Sequence, residues 1–223
     1  MEVGRCSARA VCHMKYYAHT VEDGEARTLY TLKDGRQTAE KQSSSDLAEE
    51  QIGWQPLRTH LLNVAEMAHE FGRPIGCGDD AYCAGLFHDL GKYGRAFQRR
   101  LRGHGSGIKH WTAGAYEAYQ AKAPSAAFAI DGHHKGIPKL TELQNLLKAY
   151  RQEGDWLQFG IDEPVATLIE RARGDGVALP VGQTFEQLSK SFASALHTRF
   201  LFSCLVDADF LDTRSRLHTY RQC

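Results

Sequence analysis

An imidazole and a carboxylate stand side by side in Leu86-Phe87-His88-Asp89-Leu90-Gly91-Lys92, at the end of an apolar run. Both groups are metal ligands, and neighbours on a helix can meet one ion at its shoulder when other helices supply the remaining donors. Alone, the pair also fits a buried histidine followed by a helix-capping aspartate. The other histidines decide between these readings. His60 borders an apolar helical stripe, His110 opens a helix after Gly103-His104-Gly105-Ser106-Gly107, and His133-His134 end an apolar helix. Asp209 follows Leu205 by four residues and Val206 by three, so it faces inward, whereas Asp207 points nearly the opposite way. Burying several imidazoles with a carboxylate is costly unless they share a partner, and a divalent metal suits both donor types.

The elements that must position these residues are mostly helices. Asp79 or Asp80 offers an N-cap, Ala81, Ala84, Gly85 and Leu86 allow close packing, and Gly91 is a stop signal, which predicts a helix over 79–91. Pro56 suits a first turn, and Leu57, Leu61, Val64, Ala68 and Phe71 at 4-3-4-3 spacing form an inward stripe with His60 at its edge and His69 solvated. Further helices are expected over 94–102, 112–122, 125–134, 139–152 and 162–173. After a Gly/Pro-bearing connection at 174–182, a long helix is expected over 184–211, with Phe185, Leu188, Phe192, Leu196, Phe202, Leu205 and Val206 at its apolar positions. At the start, residues 1–14 read as an extension or alternative start before Met14-Lys15. Short β-favouring runs from Tyr16 to Leu32, with Asp23-Gly24 between them and Asp34-Gly35 after, suggest a small hairpin or extended arm. The polar stretch 35–53 reads as a mobile loop. The class is therefore all-α, a helical bundle with a small irregular or hairpin N-terminal extension, and 15–223 reads as a single domain.

Composition narrows the setting. At 223 residues, 42% hydrophobic and 24% charged, the chain is ordinary for a soluble globular protein, and its zero net charge creates no global field toward nucleic acid or membrane. No apolar run reaches the roughly 18 residues of a spanning helix, and no signal peptide opens the chain. Cys6, Cys12, Cys77, Cys83, Cys204 and Cys223 lack CxxC spacing and read as reduced thiols of a cytoplasmic protein. Charge is local instead. From Leu90 to Tyr116 there is no Asp or Glu, while Lys92, Arg95, Arg99, Arg100, Arg102 and Lys109 are cationic. Such a stretch beside two proposed ligands makes an anion-attracting mouth, in which Tyr93, Phe97 and Trp111 could stack on unpaired bases.

The order His60 … His88-Asp89 … His110 … His133-His134 … Asp209 resembles the HD superfamily of metal-dependent phosphohydrolases. More narrowly, the chain resembles the HD nuclease domain of the CRISPR type I helicase–nuclease over roughly residues 15–213. That narrower likeness rests on Tyr17-Ala18-His19-Thr20, Trp54-Gln55-Pro56-Leu57, Lys109-His110-Trp111 with Ala113-Gly114, Gly132-His133-His134-Lys135-Gly136, and the run Phe202 to Asp209. The resemblance implies one metal held by His60, His88, Asp89 and Asp209, and a second by His110, His133 and His134, with Asp89 bridging. His19 matches a family motif but not a ligand position, and is left as a structural or supporting residue. Five imidazoles and two carboxylates suit Mn²⁺, Fe²⁺, Ni²⁺ or Co²⁺ better than Mg²⁺. Two such ions about 3.5–4 Å apart neutralise a phosphodiester during in-line attack. Asp89 and Lys92 are then the catalytic candidates, Lys92 through charge stabilisation, with Arg99, Arg100, Arg102 and Lys109 holding the strand.

The implied activity is cleavage of single-stranded DNA in CRISPR type I interference, with an RNA-guided surveillance complex and a helicase as partners and no membrane. No GxxxxGK[ST] motif occurs, so the helicase is a separate subunit or a fused continuation of the chain. The alternatives are an HD phosphohydrolase acting on nucleotides and a degenerate HD fold serving only for docking. The cyclic-dinucleotide branch carries Gly-Tyr-Pro after its paired histidines, where this chain has Gly136-Ile137-Pro138.

Overall fold

The inward stripe that follows Pro56 organises the molecule. In a computed structural model, which describes residues 15–19, 28–33, 36–41, 54–102, 104, 106–151, 163–180 and 191–219, it becomes α1 (Leu57–Gly72). Leu57, Leu61, Val64, Ala65 and Ala68 are fully buried, but Phe71, expected inward, is 40% exposed. After a 3₁₀ turn at Arg73–Ile75 comes α2 (Gly78–Phe87), which lies against α1 so closely that a Cβ on Gly85 would meet Ala65 Cα at 2.4 Å. Side-chain capping by Asp79 or Asp80 is not used, since Cys77 is the N-cap residue and Asp80 turns inward toward His197. The helix also stops at Phe87 instead of reaching Gly91, and Leu90–Tyr93 form a 3₁₀ turn.

Then follow α3 (Arg95–Leu101), α4 (Trp111–Gln120), α5 (Pro124–Gly132), α6 (Leu140–Arg151), α7 (Val165–Gly174) and α8 (Phe192–Thr219). The fold is all-α, with α8 packed on α1, α2 and α5. Residues 184–190, expected in the last helix, lie outside the described residues with Phe185 and Leu188, while α8 extends eight residues beyond the expected end at 211. Leu201, Cys204, Leu205 and Ala208 are its buried apolar positions, whereas Phe192 and Leu196, also among the apolar positions read from the sequence, are exposed.

The N-terminal part supplies two small antiparallel pairs. β1 (Tyr17–His19) pairs with β4 (Gln55–Pro56), which fastens it to the start of α1, and the Leu57 N–H donates to the Tyr16 carbonyl at 2.9 Å. β2 (Thr28–Lys33) pairs with β3 (Arg36–Lys41), with Lys33 opposite Arg36. A small hairpin is therefore present but lies later than expected: its second strand is 36–41, where a mobile loop was expected, and the stretch about Asp23-Gly24 lies outside the described residues. The sequence Asp34-Gly35 between the two strands is of the type that favours a tight hairpin, which accounts for pairing by a polar stretch. The remainder of that stretch, 42–53, and residues 1–14 lie outside the described residues. Among the described residues, no helix is long and apolar enough to cross a membrane.

Candidate metal centre

Two glycines allow the helices that carry the histidines to converge. A Cβ on Gly91 would lie 2.2 Å from the His110 carbonyl oxygen, and one on Gly114 would lie 1.7 Å from the Phe87 carbonyl oxygen. The Gly91 N–H donates to that His110 carbonyl at 2.9 Å, so the turn after Asp89 and the start of α4 are fastened backbone to backbone. Gly91 thus serves close approach, not helix termination.

Around this junction the sequence-proposed ligands gather. His60, on the first turn of α1, lies with Nε2 3.2 Å from Asp89 Oδ2 and 3.5 Å from Asp209 Oδ1. His88, just after α2, has Nε2 3.3 Å from Asp89 Oδ2 and 3.8 Å from Asp209 Oδ1. The other Asp89 oxygen, Oδ1, is 3.2 Å from His110 Nε2. His110 Nε2 is 3.0 Å from His134 Nε2, and one donor atom each from Asp89, His110, His133 and His134 fall within 4.8 Å of one another. A carboxylate with one oxygen in each cluster is the centre of the arrangement. His19 enters too: its donor atom lies within 4.8 Å of those of His60 and Asp209. Asp207 is exposed on the far side of α8.

The tautomers of three rings follow from their anchors. His60 Nδ1–H donates to Asp212 Oδ2 at 2.7 Å, His88 Nδ1–H to the Gly85 carbonyl at 2.8 Å, and His133 Nδ1–H to the Ile130 carbonyl at 2.7 Å. Carbonyls and carboxylates only accept, so in the neutral form of each ring, the form that binds metal, Nε2 carries the lone pair. His60 Nε2 and His88 Nε2 then face each other lone pair to lone pair at 3.1 Å, and the buried His133 Nε2 has no hydrogen-bond partner. Such a contact is repulsive unless a cation lies beside it. Adjacent donors of one ion with bonds of about 2.0–2.1 Å are about 3 Å apart, which is the spacing found. The residues fit divalent metal.

Sequence reasoning missed Asp212. It is buried on α8, accepts from His60, from Gln55 Nε2 at 2.5 Å and from Asn63 Nδ2 at 2.8 Å, and so fixes the ring that offers its Nε2. Its signal was available: Leu205, Ala208 and Asp212 continue one inward 3-4 stripe.

Electrostatics reinforce the donor character. Burial opposes ionisation of Asp89, but Lys92, His88 and His110 outweigh it and hold the carboxyl well below its usual range. Burial, then the neighbouring His88, keeps His133 well below the usual imidazole range; burial also lowers His110 and, with His110 beside it, His134. Burial and Lys92 push His19 down to about 3. These rings are neutral at neutral pH, the state that binds metal. For His88 burial is overcome by Asp89, which raises it, so the nearby anion here favours a cation on the ring.

Lys92 is not at a solvated helix end. It is 3% exposed, with Nζ 2.6 Å from Asp89 Oδ2 and donating to His19 Nε2 at 3.3 Å. The expected mouth is smaller than the sequence suggested. Lys92 is buried against Asp89 and Arg95 pairs with Glu163, while Arg99, Arg100, Arg102 and Lys109 are exposed. Tyr93 and Phe97 do not face a substrate, because both are buried. Tyr93 donates its hydroxyl to Asp175 at 2.9 Å, and Phe97 packs 5.1 Å from the His110 ring. Trp111, half-buried and 5.0 Å from the His134 ring, is the aromatic left beside the centre.

The chain matches the HD domain family over residues 57–174, more than half its length. That range runs from the first residue of α1 to the last of α7 and holds His60, His88, Asp89, His110, His133 and His134, while His19 and Asp209 lie outside it. No curated protein matches the chain significantly. From the match, the all-α fold and the donor cluster, the chain belongs to the HD domain family, the metal-dependent phosphohydrolases.

Proposed function

We propose that this protein is a metal-dependent phosphodiesterase that cleaves single-stranded DNA in CRISPR type I interference. The observation that carries the metal-dependent part is the Asp89 carboxylate with one oxygen toward His60 and His88 and the other toward His110. In this reading His60, His88, Asp89 and Asp209 would hold one divalent ion, and His110, His133 and His134, with Asp89 shared, would hold a second. Mn²⁺, Fe²⁺, Ni²⁺ or Co²⁺ fits this nitrogen-rich set better than Mg²⁺. When bound, the ions supply Lewis-acid neutralisation of the phosphoryl oxygens and an acidified water.

The chain's own residues do the rest. Asp212 and the Gly85 and Ile130 carbonyls hold three rings with Nε2 inward, so little reorganisation remains when ligands engage. Lys92 keeps a fixed ammonium beside Asp89, where it offsets negative charge brought by a phosphodiester. Arg99, Arg100, Arg102 and Lys109 attract the strand, and Trp111 offers a stacking face. The partners in this reading are a helicase, separate or fused, and an RNA-guided surveillance complex.

The test compares substrates. With Mn²⁺, the purified protein should cut a single-stranded oligonucleotide and leave deoxynucleoside triphosphates and intact duplex largely untouched. Neutralising Arg99, Arg100 and Arg102 together should weaken DNA cutting and flatten its salt dependence, since fewer counterions are released. Hydrolysis of a small chromogenic phosphodiester should be unchanged. Preferential turnover of the triphosphates would replace the nuclease reading with the nucleotide phosphohydrolase one.

A further inference from the structure

Helix α8 is apolar on two sides, and among the described residues only one of them is buried against the rest of the protein. Ser194, Thr198, Leu201, Cys204, Leu205, Ala208 and Asp212 are buried against the rest of the protein. On the opposite side Phe192, Leu196, Arg199, Ser203, Asp207, Phe210 and Arg214 are all exposed, at spacing 4-3-4-4-3-4. That is two eleven-residue steps, Phe192 to Ser203 and Ser203 to Arg214, the period at which a stripe runs nearly straight along a helix. Phe192 is 82% exposed, Phe210 57% and Phe200 44%, with Leu196 and Leu211 flanking them. At 150–250 Å² per aromatic side chain, the three phenylalanines alone leave on the order of 350 Å² of apolar surface to water, comparable to the largest patch of a typical monomer.

The residue order along this stripe fits a second copy of itself. We propose that α8 is a self-association face, on which two copies pair antiparallel about a two-fold axis at Ser203. A two-fold interface requires that residue i meet j while j meets i. With Ser203 against the partner's Ser203, Arg199 comes opposite the partner's Asp207, Leu196 opposite the partner's Phe210, and Phe192 opposite the partner's Arg214. Each contact is complementary: an ion pair, an apolar pair and a cation over a ring. Within one chain Arg199 and Asp207 are eight residues, about 12 Å, apart along the axis, so the pairing is made only between copies. The smallest side chain of the stripe lies at the crossing point, where two helices approach most closely. Arg214 already lies over the ring of Phe210, 5.7 Å from its centroid, which presents both to the same side. The contact runs about 33 Å along each helix, enough length for the roughly 800 Å² per partner of a standard interface. Asp209 and Asp212 lie on the other side of α8, so both metal centres of the dimer stay accessible.

Sedimentation velocity on the full chain under reducing conditions, over a range of concentrations, tests this without reference to activity. The wild type should sediment as a dimer, and Phe210→Glu as a monomer with unchanged helical circular dichroism. Arg199→Asp should raise the dimer dissociation constant at least about tenfold, because two ion pairs become two like-charge contacts. Adding Asp207→Arg to that variant should restore it to within about threefold. Ser203→Cys should give a reducible covalent dimer on mild oxidation under conditions where the wild type gives none. A monomeric wild type would overturn the proposal, as it would if another protein or another segment of this chain covered the stripe. So would a dimer indifferent to these changes, or a charge reversal that the second reversal fails to rescue; those two exposed substitutions decide the matter even if Phe210→Glu does not fold.

Discussion

His60 and His88 are fully buried at 0% exposure, and each has its Nδ1 tied to a fixed acceptor. The rings of His110, His133 and His134 meet the same aspartate from the other side under looser control. His133 is anchored by the Ile130 carbonyl, but His110 Nδ1 is buried without a partner and His134 is exposed. The first cluster is carried by α1, the end of α2 and α8; the second by residues that flank α4 and α5. A donor whose ring is already held loses little freedom when an ion arrives, whereas an unheld exposed ring must be ordered at that moment. If each side holds an ion, tighter binding is therefore expected on the His60–His88 side and weaker, more exchangeable binding on the His110–His134 side.

Asp89→Ala abolishes the comparison itself, because it removes an oxygen from both sides. Cleavage of a labelled single strand with Mn²⁺ should fall by at least about a thousandfold, and elemental analysis should find both ions depleted. Circular dichroism should remain that of a folded helical protein. Retained cleavage in that variant would mean that the two clusters do not share a ligand.

Asp212→Ala should separate the sides. It leaves every proposed ligand in place but frees the His60 ring and strands Gln55 and Asn63. Affinity for the tighter ion, measured by chelator competition, should fall about 10–100-fold, and the weaker ion should be nearly unaffected. Asp212→Asn, which keeps an acceptor for His60 Nδ1–H, should recover part of that loss. Equal weakening of both ions would show that the clusters bind as one unit.

These two residues also mark what the sequence conveys. Asp89 was legible because, although the His-Asp pair alone is a weak signal, the histidines around it stand in the order of a known family. Asp212 was not, because one more carboxylate on a long helix ordinarily means a solvated face, and only the register of Leu205 and Ala208 says otherwise. Tyr93 and Phe97 were misplaced for the converse reason: an aromatic among arginines reads alike whether it points to a strand of DNA or into the core. Phe192 and Leu196 stand among the apolar positions of α8 yet are exposed, because helical period does not distinguish the two faces of a helix that is apolar on both. The packing of α1, α2 and α4 depends on Gly85, Gly91 and Gly114, and of these only the close packing at Gly85 was anticipated.

The smallest expected effect concerns what the two clusters share. Glu163 accepts from the Arg95 backbone N–H at 2.8 Å and pairs with both guanidinium nitrogens of Arg171, while Arg171 also donates to the Tyr93 carbonyl at 2.9 Å. This brace holds the 3₁₀ turn that follows Asp89. Burial alone would raise the Glu163 carboxyl, but its hydrogen bonds from Arg171 and the Arg95 amide outweigh that and lower it from 4.5. A depressed carboxyl stabilises the fold fully above its unfolded pKa and loses that contribution as pH falls through the folded value. Glu163→Gln should therefore cost about 1–2 kcal/mol near neutral pH, less in high salt, and the difference from wild type should shrink as pH drops below about 4.5. Thermal melts across that range read the effect directly. Because the brace supports the turn and touches neither cluster, the affinities of both ions should change equally and little. Selective loss of the weaker ion would instead mean that the His110 side depends on this turn for its order, and that the looseness of the second cluster begins at Tyr93.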